Sequence, residues 1–82
     1  MSQDALKEEL RALIAEIIER EPAEVPDDTR LRDLGVDSMQ ALEIISEIER
    51  RYQVKIVESE FENIRTLNLA SAMLAQKLAA RA

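Results

Sequence analysis

The chain has 82 residues and a formal net charge of −6, with one glycine, two prolines and neither cysteine nor histidine. Without cysteine a disulfide is impossible, and without cysteine and histidine a zinc site would have only carboxylate ligands. The commonest nucleophile–base pairs of enzymes also need one of these two residues. We therefore expect neither a metal site nor an enzyme. The acidic charge argues against nucleic acid or an anionic membrane surface as the main partner.

The first predicted element is an amphipathic helix from about Ser2 to Arg20. Its apolar residues recur at helical spacing and gather on one face: Leu6, Leu10, Leu13, Ile14, Ile17 and Ile18. Ser2 or Asp4 can cap its start, and Arg20 is expected in its last turn, where a cation suits the helix dipole. The first residues include acids and no apolar run, so we expect no signal peptide, no stable membrane association and a cytoplasmic location.

A long loop follows, with the sequence EPAEVPDDTRLRDLGV. Pro22 and Pro26 exclude a helix through this stretch, which also lacks an apolar period. Loops of about 16 residues in compact domains are usually either functional or disordered. We expect this one to be ordered, because scattered apolar residues can pin it to the core: Val25, Leu31, Leu34 and Val36.

The second helix is predicted from Ser38 to about Tyr52. Asp37 suits the N-cap position and Gln40 follows three residues later, which indicates a variant capping box. On a helical wheel the buried stripe consists of Ala41, Ile44, Ile45, Ile48 and Tyr52, with Leu42 at its edge. The opposite face carries Met39, Gln40, Glu43, Glu47 and Arg50. Ser38 lies at the boundary, with its hydroxyl near solvent.

The rest of the chain is predicted to form an extended connection, a short helix and a final helix. We interpret VKIV as the connection, since no other stretch offers a strand with which it could pair. The phrase ESEFENI favours one short helix, and Thr66 suits the cap of a helix from Leu67 to about Ala80. The whole pattern predicts an all-α fold: a small four-helix bundle in one domain, 1–82, with three main helices, one short helix and a long loop between helices 1 and 2.

An exposed apolar residue beside a solvent-facing serine is typical of a docking surface. Met39 and Ser38 form such a pair, and Glu43 and Glu47 lie on the same side of the helix. Each also has a plain structural explanation. Ser38 fits an ordinary first-turn residue, Met39 can pack against the loop, and the two glutamates suit a solvated face. The residues alone leave both explanations open.

The stretch DLGVDSMQALEIISEIERRYQVKI resembles the attachment region of the acyl carrier protein family. That pattern has a loop ending in Leu-Gly-x-Asp-Ser, an apolar residue, a glutamate a few positions on, and an aromatic residue followed by a short polar gap and an isoleucine. The matching residues are Leu34, Gly35, Asp37, Ser38, Met39, Glu43, Tyr52 and Ile56. The resemblance covers nearly the whole chain, since the helix lengths, the long first loop and the acidic charge also agree.

The resemblance implies that Ser38 carries 4′-phosphopantetheine, installed from coenzyme A by a separate phosphopantetheinyl transferase. The arm would supply the thiol that this chain lacks, and acyl groups would be held on it as thioesters. The protein would then be a carrier in fatty acid, lipid or polyketide biosynthesis. A phosphate on Ser38 would also lie at a helix N-terminus, where unpaired N–H groups and the dipole favour an anion.

The same resemblance implies further roles. Asp37 would cap the helix and lie near the site of the transferase. The transferase and the enzymes that load and process acyl groups would dock on Met39, Glu43, Glu47 and Arg50. The acyl pocket would be lined by Leu42, Ile45, Ile48, Ile56, Phe61 and Ile64. A monomer is expected, because the second helix must stay free for these partners.

Several positions depart from the pattern of housekeeping fatty-acid carriers. Arg50 and Arg51 interrupt the acidic run of the second helix, and Ser46 stands at a position that is usually apolar. We therefore predict a specialised carrier, serving a polyketide or unusual lipid pathway. Phe61 stands where a small residue is usual, so it either shortens the acyl pocket or fills the core.

Two alternatives stay open. The triplet Asp-Ser-Met and the phrase Glu-x-Glu-Phe are also similar to D-alanyl carrier proteins, and peptidyl carriers share the fold, so a carrier loaded with an amino acid is the first. The second is a helical adaptor without a prosthetic group, in which a Ser38→Ala variant would retain all function.

Overall fold

The computed structural model describes residues 2–81, and this range is helical without a β-strand. Its three α-helices are α1 (Gln3–Ile17), α2 (Ser38–Tyr52) and α3 (Leu67–Ala79). Shorter 3₁₀ segments span Pro22–Glu24 and Leu31–Leu34 in the loop between α1 and α2, and Glu58–Ile64 between α2 and α3. The last is the predicted short helix, so the all-α four-helix arrangement is confirmed. None of the helices in this range is long and apolar enough to cross a bilayer.

Each α-helix begins with the same type of side-chain cap. An oxygen of the N-cap side chain accepts the backbone N–H three residues later, which satisfies one of the N–H groups left free at a helix start. The caps are Ser2, Asp37 and Thr66, at donor–acceptor distances of 3.1, 2.8 and 3.1 Å. The predicted capping box of α2 is half formed, because the Gln40 side chain donates no bond back to Asp37 in the described part of the chain.

α1 ends at Ile17, three residues before its predicted end, so the placement of Arg20 in the last turn is wrong. Glu19 adopts the left-handed backbone conformation, with φ of 58°. The Glu19 N–H donates to the Glu16 carbonyl at 3.3 Å, and the Arg20 N–H donates to the Ala15 carbonyl at 2.9 Å. These two bonds form a Schellman motif, which ends the helix. Glycine usually occupies the left-handed position of this motif. Because glutamate occupies it here, the sequence did not indicate where the helix ends.

One apolar core holds the helices together. Its members come from all three α-helices, from the long loop and from the segment after α2: Leu6, Leu10, Leu13, Ile14, Ala15, Val25, Leu31, Ile44, Ile45, Ile48, Ile56, Ile64, Leu67, Ala70, Met73 and Leu74. Burying these side chains is the main favourable contribution to folding. The predicted stripe of α2 is confirmed at Ile44, Ile45 and Ile48, whereas Ala41 and Tyr52 are half-buried.

The long loop is tied to α1 by charged side chains. The Arg11 guanidinium donates to the Val25 carbonyl and to the Asp27 carboxylate. Glu8 accepts two further bonds from this guanidinium, each at 3.0 Å, and Lys7 Nζ lies 3.4 Å from Asp27 Oδ2. Bonds between charged partners are stronger than neutral ones, so this cluster fixes a stretch that has few apolar residues.

The other side of the loop is tied to α3 and to Arg65, two residues before that helix. The Asn68 N–H donates to the Asp27 carbonyl at 3.0 Å, and its side chain donates to Asp28 Oδ1 at 2.5 Å. The Leu31 N–H donates to the Arg65 carbonyl at 2.8 Å. The predicted apolar pins all pack on the core, Val25 and Leu31 buried, Leu34 and Val36 partly so. The loop is therefore ordered, as predicted.

The end of α2 is tied to the middle of α1 by Tyr52. Its hydroxyl donates to Glu9 Oε1 at 2.7 Å, and partial burial together with this bond raises the pKa of Tyr52 to about 12. The start of α2 lies near the C-terminal end of α1, because Met39 shares a groove with Ile17, the last residue of α1. The two helices therefore run antiparallel.

Asp27 gives the fold a dependence on pH that can be measured. Hydrogen bonds from Arg11 and Lys7 hold the pKa of Asp27 below its ordinary value of 3.8. A lowered folded-state pKa means that this carboxylate stabilises the fold above its unfolded pKa and loses that contribution as the pH falls through the folded value. We expect Asp27→Asn to lower the melting temperature by a few degrees at pH 7, and by progressively less below about pH 4.

Thermal melts followed by circular dichroism across this pH range would test the expectation. Asp33→Asn is the matched control, because Asp33 is exposed and forms no ion pair with any described residue. An Asp27→Asn deficit of constant size at all pH values would contradict the ionic explanation.

Candidate functional site

Ser38 is the first residue of α2, and its side chain is exposed. The chain turns into the helix at Gly35, whose φ of 91° is one that side chains rarely adopt. Asp37 then caps the helix by accepting the Gln40 N–H. This cap satisfies the N–H of Gln40, the third residue of the helix. The N–H groups of Ser38 and Met39, the first two residues, have no acceptor within the helix. The serine hydroxyl therefore stands in solvent beside two backbone donors.

Ser38 borders a cleft of about 520 Å³ between the long loop, α2 and the Glu58–Ile64 segment. This volume lies within the range of small-molecule pockets, roughly 300–1,000 Å³. The apolar lining consists of Leu31, Val36, Ala41, Leu42, Ile45, Phe61 and Ile64. The charged lining consists of Arg30, Arg32 and Arg65. The cleft can thus cover an apolar chain and offers cations at its exposed edge.

The residues assigned to an acyl pocket from the sequence divide into two groups. Those that line the cleft are Leu42, Ile45, Phe61 and Ile64. Ile48 and Ile56 instead lie in the core, with 0% and 4% of their surface exposed. Ile48 is one helical turn beyond Ile45 on the same side of α2, but at that level the helix packs against the core and no longer borders the cleft. Phe61 is half-buried and both contacts the core and lines the cleft.

The other side of α2 carries an exposed apolar groove. Met39 and Leu42 are 71% and 52% exposed, and the two lie side by side in one groove, whereas exposed apolar residues that are scattered singly are ordinary. They share the groove with Ile17, Glu43, Ser46 and Glu47. Leu42 therefore belongs to both the groove and the cleft, as the wall between them.

The two glutamates of this groove differ in their surroundings. Arg50 donates two hydrogen bonds to Glu47, at 2.9 and 2.7 Å, and thereby lowers the pKa of Glu47 below its ordinary value. Arg51 lies 3.7 Å from the same carboxylate. Glu43 is exposed and forms no ion pair within residues 2–81. The negative charge of Glu43 is therefore available to a partner, whereas that of Glu47 is offset within the helix.

Arg30, Arg32 and Arg65 were not predicted as site residues. Arg30 and Arg32 flank Leu31, a buried residue that the sequence already predicted as an apolar pin. The two cations beside this pin were therefore visible in the sequence. Arg65 lies far along the chain, and its place beside the other two depends on the fold.

Comparison with known proteins identifies the family of this chain. Residues 8–74 match the family described as the phosphopantetheine attachment site. The chain belongs to this family of phosphopantetheine-binding carriers. The carrier is 41% identical over 73 residues to the polyketide-8 synthase acyl carrier protein 2 of Streptomyces avermitilis, covering 88% of this chain and 84% of the relative. It is 37% identical over 79 residues to an acyl carrier protein of Streptomyces coelicolor, covering 94% of this chain and 86% of the relative.

Family membership establishes 4′-phosphopantetheine as the prosthetic group and the carriage of acyl groups as the function. When bound, that group supplies the thiol on which acyl groups are held. The described residues fit it, since an exposed hydroxyl, an open helix N-terminus and an apolar cleft meet at one place. The carrier works with synthase and processing enzymes, and membership favours this function over an adaptor without a prosthetic group.

Asp37 can be tested as a cap separately from its charge. We expect Asp37→Ala to lower the free energy of unfolding by about 0.5–2 kcal/mol, because it removes the acceptor for the Gln40 N–H. Asp37→Asn should be close to wild type in stability, since asparagine caps as well as aspartate does. Urea denaturation of both variants would measure this. Equal losses in the two variants would contradict capping as the structural role of Asp37.

Proposed function

We propose that Ser38 is the residue to which 4′-phosphopantetheine is attached, and that residues 1–82 act as one carrier domain. The observation that carries this proposal is the position of Ser38, an exposed hydroxyl at the start of α2 and at the edge of an apolar cleft. Its place within the matched residues 8–74 is a second support. Asp37 holds the first turn of α2 in the conformation that presents the hydroxyl.

The attachment is a phosphoryl transfer from coenzyme A, carried out by a phosphopantetheinyl transferase. Ser38 Oγ forms a bond to the phosphorus atom that bears pantetheine. The pyrophosphate bond of coenzyme A breaks, and adenosine 3′,5′-bisphosphate leaves. The hydroxyl proton passes to a base that the transferase must provide, since this chain has no histidine and Ser38 has no basic partner among the described residues.

The cleft and the groove of α2 then have separate roles. The cleft would cover the acyl chain with Leu42, Ile45, Phe61 and Ile64, because the transfer of an apolar chain from water to an apolar surface is favourable. The transferase and the acyl-processing enzymes would dock on the groove, with Met39 as the apolar contact and Glu43 as the free anion. Arg50 stands at the far end of this surface, with 69% of its side chain exposed, and would face an acidic group on a partner.

Polyketide assembly is the proposed pathway. The relatives include the polyketide-8 synthase acyl carrier protein 2, and α2 of this chain carries Arg50 and Arg51 in place of an all-acidic end. We place the carrier in the cytoplasm as a monomer, because successive partners must reach α2. Exposed ion pairs contribute little affinity but speed encounter, which suits a carrier that must also be released.

Attachment at Ser38 can be tested by intact mass. We expect the wild-type protein to gain one phosphopantetheine on incubation with coenzyme A and a promiscuous phosphopantetheinyl transferase, and Ser38→Ala to gain none. Ser59→Ala is the matched control, because Ser59 is also exposed, and it should gain one group. A folded Ser38→Ala protein that is still modified would overturn the assignment.

The difference between Glu43 and Glu47 gives a second test. We expect Glu43→Gln to lower kcat/KM of the transferase for the carrier by roughly twofold to fivefold at low salt, the size expected for an exposed ionic contact. Glu47→Gln should lower it less, because Arg50 and Arg51 already offset that charge. Asp4→Asn is the control, since Asp4 lies at the end of α1 away from the groove. A larger effect at Glu47 would contradict this assignment of the docking charge.

A further inference from the structure

Three cations line the cleft beside Ser38 in a chain whose net charge is −6. These are Arg30, Arg32 and Arg65, and no aspartate or glutamate is among the lining residues. A cleft lined by one sign of charge concentrates the field at its mouth, even when the molecule as a whole has the opposite sign. The cleft therefore attracts an anion that the rest of the carrier would repel.

Arg30 and Arg32 differ from most of the other cations of the described chain. Neither has an ion pair or a side-chain hydrogen bond within residues 2–81, and both are exposed. The other arginines bond acids or carbonyl groups, as Arg11 does in tying the loop to α1. Arg65 is held by Glu62 at 3.1 Å, so it is partly offset. Two guanidinium groups thus remain with their donors unused at the edge of one cleft.

The backbone around these arginines is fixed. Leu31, between Arg30 and Arg32, is 4% exposed, and its N–H is bonded to the Arg65 carbonyl at 2.8 Å. This bond joins the two segments that carry the three cations. The backbone positions of the three arginines are therefore set by the fold, through the buried Leu31 side chain and this hydrogen bond.

We infer that Arg30 and Arg32, assisted by Arg65, bind the phosphodiester of the prosthetic arm and so direct the arm into the cleft. This inference rests on the proposed attachment at Ser38, which would place an anionic phosphate at the edge of the same cleft. The planar guanidinium fork matches the geometry of phosphate oxygens, and a covalent tether keeps the phosphate at high effective concentration. Exposed ionic contacts are weak, so the arm stays free to leave for a partner enzyme.

Nuclear Overhauser contacts between the arm and the cleft would test the inference. The protein is the wild-type chain carrying an unloaded, thiol-terminated arm, because the phosphodiester is then the only anion on the arm. We expect cross-peaks from the geminal methyl groups of the arm to the Val36 methyl groups and the Phe61 ring. The double variant Arg30→Gln/Arg32→Gln should weaken them by roughly fivefold, the loss expected for exposed ionic contacts.

The control double variant is Arg20→Gln/Lys55→Gln, which removes the same charge from two residues that do not line the cleft. It should leave the cross-peaks unchanged. In the wild type, 1 M salt should weaken them as the double variant does, since the screening length falls to about 3 Å. This salt comparison uses the wild-type protein, so it tests whether the contact is ionic even if the double variant folds poorly or is not modified.

Intact mass separates the two ways of failing. A sample that gains no phosphopantetheine at Ser38 would contradict the proposed function. A sample that carries the arm and shows no cross-peaks to the cleft, or cross-peaks insensitive to both salt and the double variant, would overturn the role of the arginines alone.

Discussion

Arg11 connects α1 to the long loop, and the geometry of the site depends on that connection. Its guanidinium bonds the Val25 carbonyl and the Asp27 carboxylate, so the loop is fixed by directional contacts where its sequence offers few apolar ones. Ordering a loop costs conformational entropy at every residue, and these contacts offset that cost together with the burial of Val25 and Leu31. With its first half held, the loop lays Leu31 and Val36 against α2 as one wall of the cleft.

α2 presents three different surfaces because successive residues of a helix point in directions about 100° apart. Ile44 and Ile48 face the core, Ile45 lies where the core meets the cleft, and Met39 faces solvent. Fifteen residues, Ser38–Tyr52, thus connect the proposed attachment point, one wall of the apolar cleft and the exposed groove in one rigid element. A helix positions such groups more accurately than a loop, since its hydrogen bonds fix every residue relative to the next.

The parts of the fold that were predictable are those that depend on residues close in sequence. The cap at Asp37, the buried face of α2 and the apolar pins of the loop all follow from spacing or from local chemistry. The Schellman end of α1 was missed because Glu19, not glycine, takes the left-handed position. The cleft was only partly anticipated, since its walls come from three segments far apart in the chain. For that reason the sequence did not reveal that Arg65 lines the cleft, or that Ile48 and Ile56 lie outside its lining.

Leu42 is shared by the cleft and the groove, so a movement of this side chain at one surface changes the shape of the other. A partner that displaces this side chain also changes the space left for an acyl chain, so the binding free energies at the two surfaces are not independent. Such coupling is reciprocal: if docking loosens the hold on the cargo, then the cargo weakens docking by the same factor. A single exposed leucine would thereby let an enzyme distinguish a loaded carrier from an empty one without touching the cargo itself.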